Sequence, residues 1–200
     1  GTGKTLMALA AGYRQLDSAF GQVNIYRPTI ELGREIGFLP GTVDEKFRPW
    51  VQPIHDNLAL ILESQNGDLK KPPHKDGDRR VENGVNGSRQ IIDDFISRGK
   101  ISIMPINFVR GRSLIGQFII CDEVQNLTPH EVKTLVTRVG RNSKIVLTGD
   151  PGQIDNPFLD SLSNGLTHVV ERFRGQSVSG HVILVANERS DLSQLGADLL

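Results

Sequence analysis

Gly1-Thr2-Gly3-Lys4-Thr5 opens the chain and runs directly into an apolar, helix-forming segment at positions 6–11. These residues match the end of the phosphate-binding pattern G-x-x-x-x-G-K-[ST], whose first glycine would fall three positions before Gly1. Backbone N–H groups at such a helix N-terminus face a phosphate, and the helix dipole favours its negative charge. Lys4 would reach the β- and γ-phosphates, and the Thr5 hydroxyl would bind Mg²⁺. We therefore expect residues 1–5 to bind a nucleotide, with a strand preceding them; the alternative is a chance match in a flexible terminus.

Short apolar runs typical of strands follow along the chain, at residues 23–26, 101–104, 118–121, 144–148 and 181–185. Their hydrophobicity is nearly continuous, as required of strands that helices cover on both faces. Apolar residues at helical spacing predict helices around 132–139 and 166–173. This alternation predicts an α/β fold with a mostly parallel central sheet flanked by helices.

The helix near residue 132 carries its own boundary signals. Thr128 can cap it, Pro129 suits the first helical position, and Glu131 completes a capping box. Gly140 predicts its end.

Composition limits the class of protein. The length of 200 residues suits one domain, and 23 basic against 23 acidic residues give zero net charge. Binding to nucleic acid would therefore need a local basic surface. The single cysteine, Cys121, excludes an internal disulfide framework, suits a reducing compartment and reads as a core residue. No apolar run approaches the roughly 18 residues of a membrane span, so we expect no membrane partner.

Residues 64–89 interrupt the alternation. They are rich in glycine, proline and charge and contain almost nothing apolar, which predicts a flexible surface insertion or disordered loop. The alternative is a flap that contacts nucleic acid through Lys70, Lys71, Lys75, Arg79 and Arg80.

Asp122 and Glu123 end the apolar run at 118–121. A parallel strand delivers its last residues to the edge of the sheet where a phosphate loop also lies. Asp122 can then hold Mg²⁺, and Glu123 can polarise the attacking water. The alternative is a pair of solvated loop acids.

Gly149-Asp150-Pro151-Gly152-Gln153 follows the next predicted strand. This placement would bring the Gln153 amide beside the γ-phosphate, where it could sense that group and signal to a bound polymer. An ordinary proline-glycine turn is the alternative.

Together these residues resemble known proteins. Residues 122–126 (DEVQN) and 149–153 (GDPGQ) resemble the DEAQ and GDxxQ pair of superfamily 1 helicases. More closely, the chain resembles the ATPase domain of PhoH-like proteins, with their RP…GFLPG…K…P, RGRT-like and TRxG segments in order. The matching positions are Arg27-Pro28, Gly33, 37–41, Lys46, Pro49, Pro105, 110–114 and 137–140. Val124 stands where alanine is usual, Ser113 replaces threonine, and 64–89 has no counterpart.

The resemblance implies a RecA-like P-loop NTPase core over residues 1–200, hydrolysis of ATP with Mg²⁺, and assembly into a hexameric ring. It also implies action on single-stranded RNA in the cytoplasm. Some relatives couple helicase activity to RNA cleavage by an N-terminal PIN ribonuclease domain. Residues 189–192 are similar to the carboxyl end of that two-domain type.

Two arginines compete to stabilise the charge that phosphoryl transfer develops. Arg189 follows the last predicted strand, at the edge where a nucleotide would lie. Arg138 lies near the end of the capped helix, available to a neighbouring subunit. Alternatively, Arg138 only complements the helix dipole.

Arg110 and Arg112 flank Gly111 after a predicted strand and are candidates for RNA binding, because arginine forks match phosphates. Phe108 could add a stacking face. Ion pairs within a subunit interface are the alternative for both arginines. The segment 38–40 is either a second loop that contacts a strand of nucleic acid or, more simply, a packed turn.

The sequence therefore favours an RNA-stimulated ATPase that works as a helicase or remodeller. The first alternative is an ATP-driven switch of phosphate-starvation type, which acts on a protein partner without translocation. A non-hydrolysing nucleotide-binding module is disfavoured by the intact Glu123, and a kinase by the lack of a recognisable lid or acceptor site.

Overall fold

The computed structural model describes residues 2–28, 43–65 and 78–185, with side chains at 43–49, 65 and 78–86 outside the description. The described helices are α1 (Lys4–Gln15), α2 (Val43–Gln65), α3 (Asp78–Ser97), α4 (Pro129–Val136) and α5 (Gly165–Phe173). The strands are β1 (Gln22–Arg27), β2 (Ile101–Pro105), β3 (Gln117–Cys121) and β4 (Lys144–Leu147). Short 3₁₀ helices cover Ile106–Val109 and Val124–Asn126.

The four described strands form one parallel sheet in the order β2-β1-β3-β4. This confirms the predicted α/β class and four of the five predicted strands. In register, Arg27 pairs with Pro105, Tyr26 with Cys121, and Cys121 with Leu147. All four strands consequently end at one edge of the sheet, where the segments that follow them meet.

Helices cover both faces of the sheet. On one face, α1, α2 and α3 pack through Leu9, Ile54, Leu58 and Ile92 against strand residues that include Phe118. On the other face, α4 and α5 cover a second cluster of apolar residues, which comprises Tyr26, Ile119, Cys121, Val132 and Leu135 with Leu166 and Val169. Strands enclosed in this way need apolar residues at successive positions, which explains their continuous runs. Even the 23-residue α2 is not apolar enough to cross a membrane, and the same holds for the other described helices.

The prediction of a fifth strand at residues 181–185 is wrong. Residues 181–185 have no regular secondary structure, and Val182, Ile183 and Val185 are 78%, 72% and 89% exposed. Within the described ranges β4 is an edge strand, and 181–185 pairs with no described strand. An apolar run becomes a strand only where a neighbour takes its backbone hydrogen bonds.

The predicted start of α4 is confirmed, whereas its end lies earlier than predicted. Thr128 and Glu131 form the capping box, and Pro129 occupies the first turn. The helix ends at Val136 rather than at Gly140. Beyond the helix, the carbonyl of Arg138 accepts a hydrogen bond from the amide of Leu114, and the amide of Gly140 donates to the carbonyl of Leu114.

Part of the predicted surface insertion is helical, since α3 begins at Asp78. Residues 64–65 end α2 and residues 78–89 lie in α3, so both differ from the loop that the sequence predicts, while 66–77 lie outside the described residues. Glycines and charges concealed an apolar spacing that runs through Val81, Val85 and Ile92. Ile92 is buried against the sheet.

Candidate nucleotide-binding site

The amino end of α1 begins at the predicted phosphate loop. Gly3, the residue before the helix, has a φ of 76°, a left-handed conformation that favours glycine. The Lys4 ammonium lies 3.5 Å from Asp150 Oδ2 and donates to Thr2 Oγ1 at 3.3 Å. The predicted lysine is thus held beside the loop that follows β4.

Asp122 joins three segments at the carboxyl edge of the sheet. Its carboxylate is buried, and the Thr5 hydroxyl donates to Asp122 Oδ1 at 2.9 Å across 117 positions of sequence. The Thr148 hydroxyl, directly after β4, donates to the same oxygen at 2.5 Å. The structure therefore brings Thr5 and Asp122 together. Sequence reasoning missed Thr148, whose only signal was a hydroxyl at the end of a predicted strand.

Glu123 has an unusual backbone and an unusual environment. Its φ is 55°, in the left-handed region that non-glycine residues adopt rarely and that is enriched at functional sites. Burial raises the pKa of its carboxyl and nearby Asp122 raises it further, while the hydrogen bond from Gln125 and the charges of Arg27 and Lys4 lower it. Its carboxyl group is thus suited to accept a proton at a pH above the usual glutamate range.

Gln125 is a fully buried amide that connects Glu123 with the loop after β4. Its Nε2 donates to Glu123 Oε2 at 2.6 Å and to the carbonyl of Gln153 at 2.8 Å. Its Oε1 accepts from the Asp150 amide at 3.1 Å. Sequence reasoning assigned Gln125 no role, although it lies in the motif quoted for the resemblance, because its partners Asp150 and Gln153 are distant in sequence.

Asn126 holds the next part of the same loop. Its Oδ1 accepts from the amides of Asp155 and Asn156 at 2.7 and 3.3 Å, and its Nδ2 donates to Asp155 Oδ2 at 3.1 Å. Gln153 is held only through its backbone in the bonds described here, and its side chain is exposed. The predicted phosphate-sensing amide is therefore accessible to a ligand.

The residues present fit a magnesium ion that arrives with a nucleotide. Mg²⁺ prefers oxygen ligands and usually binds one or two protein oxygens together with phosphates and water. Thr5 and Asp122 supply a hydroxyl and a carboxylate at hydrogen-bond distance. In the described ranges, no group of three histidine, cysteine or acidic residues could hold a metal by itself, which is compatible with a shared phosphate site.

The predicted arginines differ in position. Arg110 and Arg112 are exposed on either side of Gly111, whose φ is 76°, and Phe108 is 60% exposed. Arg112 donates to Met104 Sδ at 3.6 Å, and Arg110 lines a small cavity beside α4 with residues that include Glu131 and Thr134. Arg138 is exposed just beyond α4. Gly1, Arg189 and the segment 38–40 lie outside the described residues.

Several known proteins are similar to this chain in sequence. A family model described as PhoH-like protein matches residues 1–194. Protein PhoH2 of Bacillus subtilis (strain 168) is 50% identical over 202 residues, which cover 100% of this chain and 41% of that protein. Protein PhoH2 of Mycolicibacterium smegmatis is 32% identical over 203 residues, covering 100% of this chain and 40% of that protein. A PhoH-like protein of Mycobacterium tuberculosis (strain ATCC 25618 / H37Rv) is 35% identical over 158 residues, covering 78% and 38%. The chain spans about two fifths of the length of these curated relatives.

Proposed function

This chain belongs to the PhoH-like protein family, and we propose that it hydrolyses ATP with Mg²⁺ and couples hydrolysis to the binding and remodelling or unwinding of RNA. Family membership indicates a P-loop ATPase. The observation that carries the proposal is the hydrogen bond from Thr5 to Asp122, which joins the start of α1 to the end of β3. A hydroxyl and a carboxylate so placed are the two protein groups that hold the metal in this class of site.

Each residue of the site has a proposed part in the reaction. Lys4 would exchange its contact with Asp150 for the β- and γ-phosphates, and Thr5 and Asp122 would hold Mg²⁺. When bound, this ion supplies positive charge to the phosphate oxygens. Glu123 orients a water molecule and accepts its proton as the oxygen attacks the γ-phosphorus. The bond from that phosphorus to the bridging oxygen breaks, which leaves ADP and phosphate.

The coupling to RNA is proposed from different residues. Arg110, Arg112 and Phe108 are exposed together on one segment, and two guanidinium groups with an aromatic ring suit a single-stranded polymer. Gln153 connects the γ-phosphate with this polymer.

Assembly into a hexameric ring is proposed from the resemblance, with Arg138 or Arg189 reaching the nucleotide. A PIN ribonuclease domain in the complete protein and a cytoplasmic location also remain predictions from the sequence.

A second candidate is an ATP-dependent switch of phosphate-starvation type that binds a protein partner and does not translocate. It is favoured by the loop after β4, where Phe158 and Leu162, close to Asp155 and Asp160 in sequence, are 89% and 80% exposed. Exposed apolar side chains on a nucleotide-linked loop suit a protein surface.

Steady-state ATP hydrolysis by the full-length protein, with and without single-stranded RNA, tests both proposals. We expect turnover that requires Mg²⁺ and rises with RNA, and that Lys4→Ala abolishes. A rate of ATP hydrolysis that is the same with and without RNA favours the switch. Absence of Mg²⁺-dependent turnover under both conditions contradicts the ATPase assignment.

RNA binding by an Arg110→Ala/Arg112→Ala variant, titrated with salt, tests the proposed RNA segment. Each lost phosphate contact should reduce the slope of log affinity against log salt by about 0.7. An unchanged slope excludes these arginines from the RNA surface.

A further inference from the structure

Arg27 is a buried cation that neither the phosphate motif nor the arginine predictions explain. It ends β1 at the edge of the sheet that carries the candidate site, and it is only 8% exposed. A charged side chain is almost never enclosed unless other groups compensate its charge. The groups around Arg27 are therefore informative.

One side of the Arg27 guanidinium faces the proposed metal ligand. Arg27 Nε lies 3.8 Å from Asp122 Oδ2, with side-chain exposures of 10% and 5%. This nitrogen is buried and has no hydrogen-bond partner among the described residues, so its attraction to the carboxylate is electrostatic. Asp122 Oδ1 is already taken by the hydroxyls of Thr5 and Thr148. Arg27 consequently balances the charge at the oxygen that these hydroxyls leave.

The other side of the guanidinium faces α2. Arg27 Nη1 donates to the backbone carbonyl of Trp50 at 2.8 Å, and the guanidinium carbon lies 5.7 Å from the centre of the Trp50 ring. Trp50 is 5% exposed, and its Nε1 donates to the carbonyl of Pro28 at 3.4 Å. A single side chain thus spans the distance between the Asp122 carboxylate and a helix on one face of the sheet.

We propose that Arg27 is a positioning residue that couples occupancy of the metal site at Asp122 to α2 through Trp50. The proposal rests on the proposed function, because it requires that Mg·ATP binds at this site. A cation that shares the Asp122 charge weakens the attraction between Asp122 and Arg27. The guanidinium, which already donates to the Trp50 carbonyl, then shifts against the Trp50 ring, and α2 responds to the occupied site through this contact.

Trp50 is the one tryptophan of this chain, which makes it an optical reporter of the coupling. The experiment titrates the full-length protein with ATP and MgCl₂ and records tryptophan emission, while calorimetry measures binding of the same ligand. Subtraction of a Trp50→Phe variant isolates the Trp50 signal from any tryptophan elsewhere. We expect an emission change that saturates together with the binding curve.

Two substitutions separate the charge of Arg27 from its shape. Arg27→Lys keeps the charge but loses the planar group that reaches both Asp122 and Trp50. We expect Arg27→Lys to bind Mg·ATP within about threefold of the wild type, because the charge beside Asp122 is kept. We expect it to lose at least about half of the emission change, because the contact with Trp50 is lost.

Arg27→Met removes the charge and leaves Asp122 uncompensated when no metal is present. Its thermal unfolding temperature should fall without ligand and should recover with Mg·ATP by more than the wild type gains. A merely structural role would lower the unfolding temperature equally in both conditions. Lys100→Met, which removes a cation paired with Asp17 at the opposite edge of the sheet, is the matched control and should change neither readout.

The outcomes distinguish this inference from the function on which it rests. Absence of Mg·ATP binding in the calorimeter overturns the proposed function and the coupling with it. Saturable binding without any Trp50 emission change overturns the coupling alone. A full emission change in both Arg27 variants also overturns it.

Discussion

Two neighbouring loops at the carboxyl edge of the sheet differ sharply in burial. In the loop after β3, Val124, Gln125 and Asn126 are each at most 4% exposed. In the loop after β4, Gln153 is exposed, and Phe158 is 89% exposed. The first is the inner loop, residues 122–127, and the second is the outer loop, residues 148–164.

The inner loop is fixed by the sheet, whereas much of the outer loop is fixed by the inner one. The amide of Val124 donates to the carbonyl of Thr148 at 2.9 Å, which joins the two where they leave their strands. Beyond that point, the side chains of Gln125 and Asn126 hold residues 150–156. The proposed chemistry thus lies in an enclosed segment, whereas the attached, exposed segment is accessible to a polymer or a protein partner.

Substitution of the inner-loop acid should have the largest effect. Glu123→Gln keeps the shape of the side chain but removes the proposed base, so turnover should fall by about 10²–10⁴-fold. Binding of Mg·ATP should stay within a few-fold, because Gln occupies the same space. Single-turnover hydrolysis and calorimetry measure the two quantities.

Glu131→Gln is the matched control, since Glu131 belongs to the capping box of α4, where glutamine is also accepted. It should leave turnover within about twofold. More than a tenth of wild-type turnover in Glu123→Gln would exclude Glu123 as the base.

The pH profile of the wild type sharpens the same prediction. Burial and nearby Asp122 raise the pKa of Glu123, and a base must be ionised to accept a proton. Turnover should therefore fall as the pH drops through this raised pKa, at a pH above the ordinary glutamate value of about 4.3. The steep fall should be absent from the residual activity of Glu123→Gln.

Replacing the two bridging amides tests whether the inner loop does more than hold the outer one. Gln125→Met removes every polar contact of the bridge to Glu123, Asp150 and Gln153, and turnover should fall by about 10–100-fold. Asn126→Leu removes a side-chain amide of similar burial that contacts the outer loop, and the described hydrogen bonds of this side chain do not include Glu123. We expect both to lose about 1–3 kcal/mol of stability.

Only Gln125→Met should lower turnover strongly while binding of Mg·ATP is retained. Chemical denaturation and steady-state kinetics of the two variants give the comparison directly. Equal losses of turnover would mean that anchoring of the outer loop, rather than orientation of Glu123, explains the effect.

Two glycines of the outer loop give a smaller and more local test. A methyl group at Gly149 would overlap Gln125 Oε1 and stand 2.9 Å from Leu166 Cδ2. A methyl group at Gly152 would meet only Asp150 Oδ1, at 3.4 Å. Gly149→Ala should therefore displace Gln125 and reduce turnover by about 3–10-fold, at a stability cost of about 1–3 kcal/mol. Gly152→Ala should stay close to wild type, and a similar loss in both variants would contradict a specific role for the Gln125 contact.

The predictable part of the molecule is encoded by local patterns. The helix that begins within residues 1–5, four strands and the capping box at Thr128 each follow from residues close in sequence. Asp122 could be expected near Thr5 because parallel strands end at a common edge, and the two do share a hydrogen bond.

The rest depends on contacts between distant residues. Gln125 looks like a polar loop residue until its partners, 25 and 28 positions away, are known. Arg27 looks like an ordinary strand end until Trp50 and Asp122 enclose it. The error at 181–185 has the same origin, since composition does not reveal whether a strand will find a neighbour.

The smallest expected effect concerns the strand that leads into the inner loop. Cys121 is fully buried, and burial, with the nearby charges of Asp122 and Glu131, raises the pKa of its thiol. Because the thiolate is the reactive form, the native protein should show almost no alkylation of Cys121 by a maleimide near pH 8. Peptide mapping by mass spectrometry should find the modification only after denaturation in urea. Rapid labelling without urea would mean that β3 opens to solvent, and an inner loop attached to such a strand could not hold Glu123 rigidly.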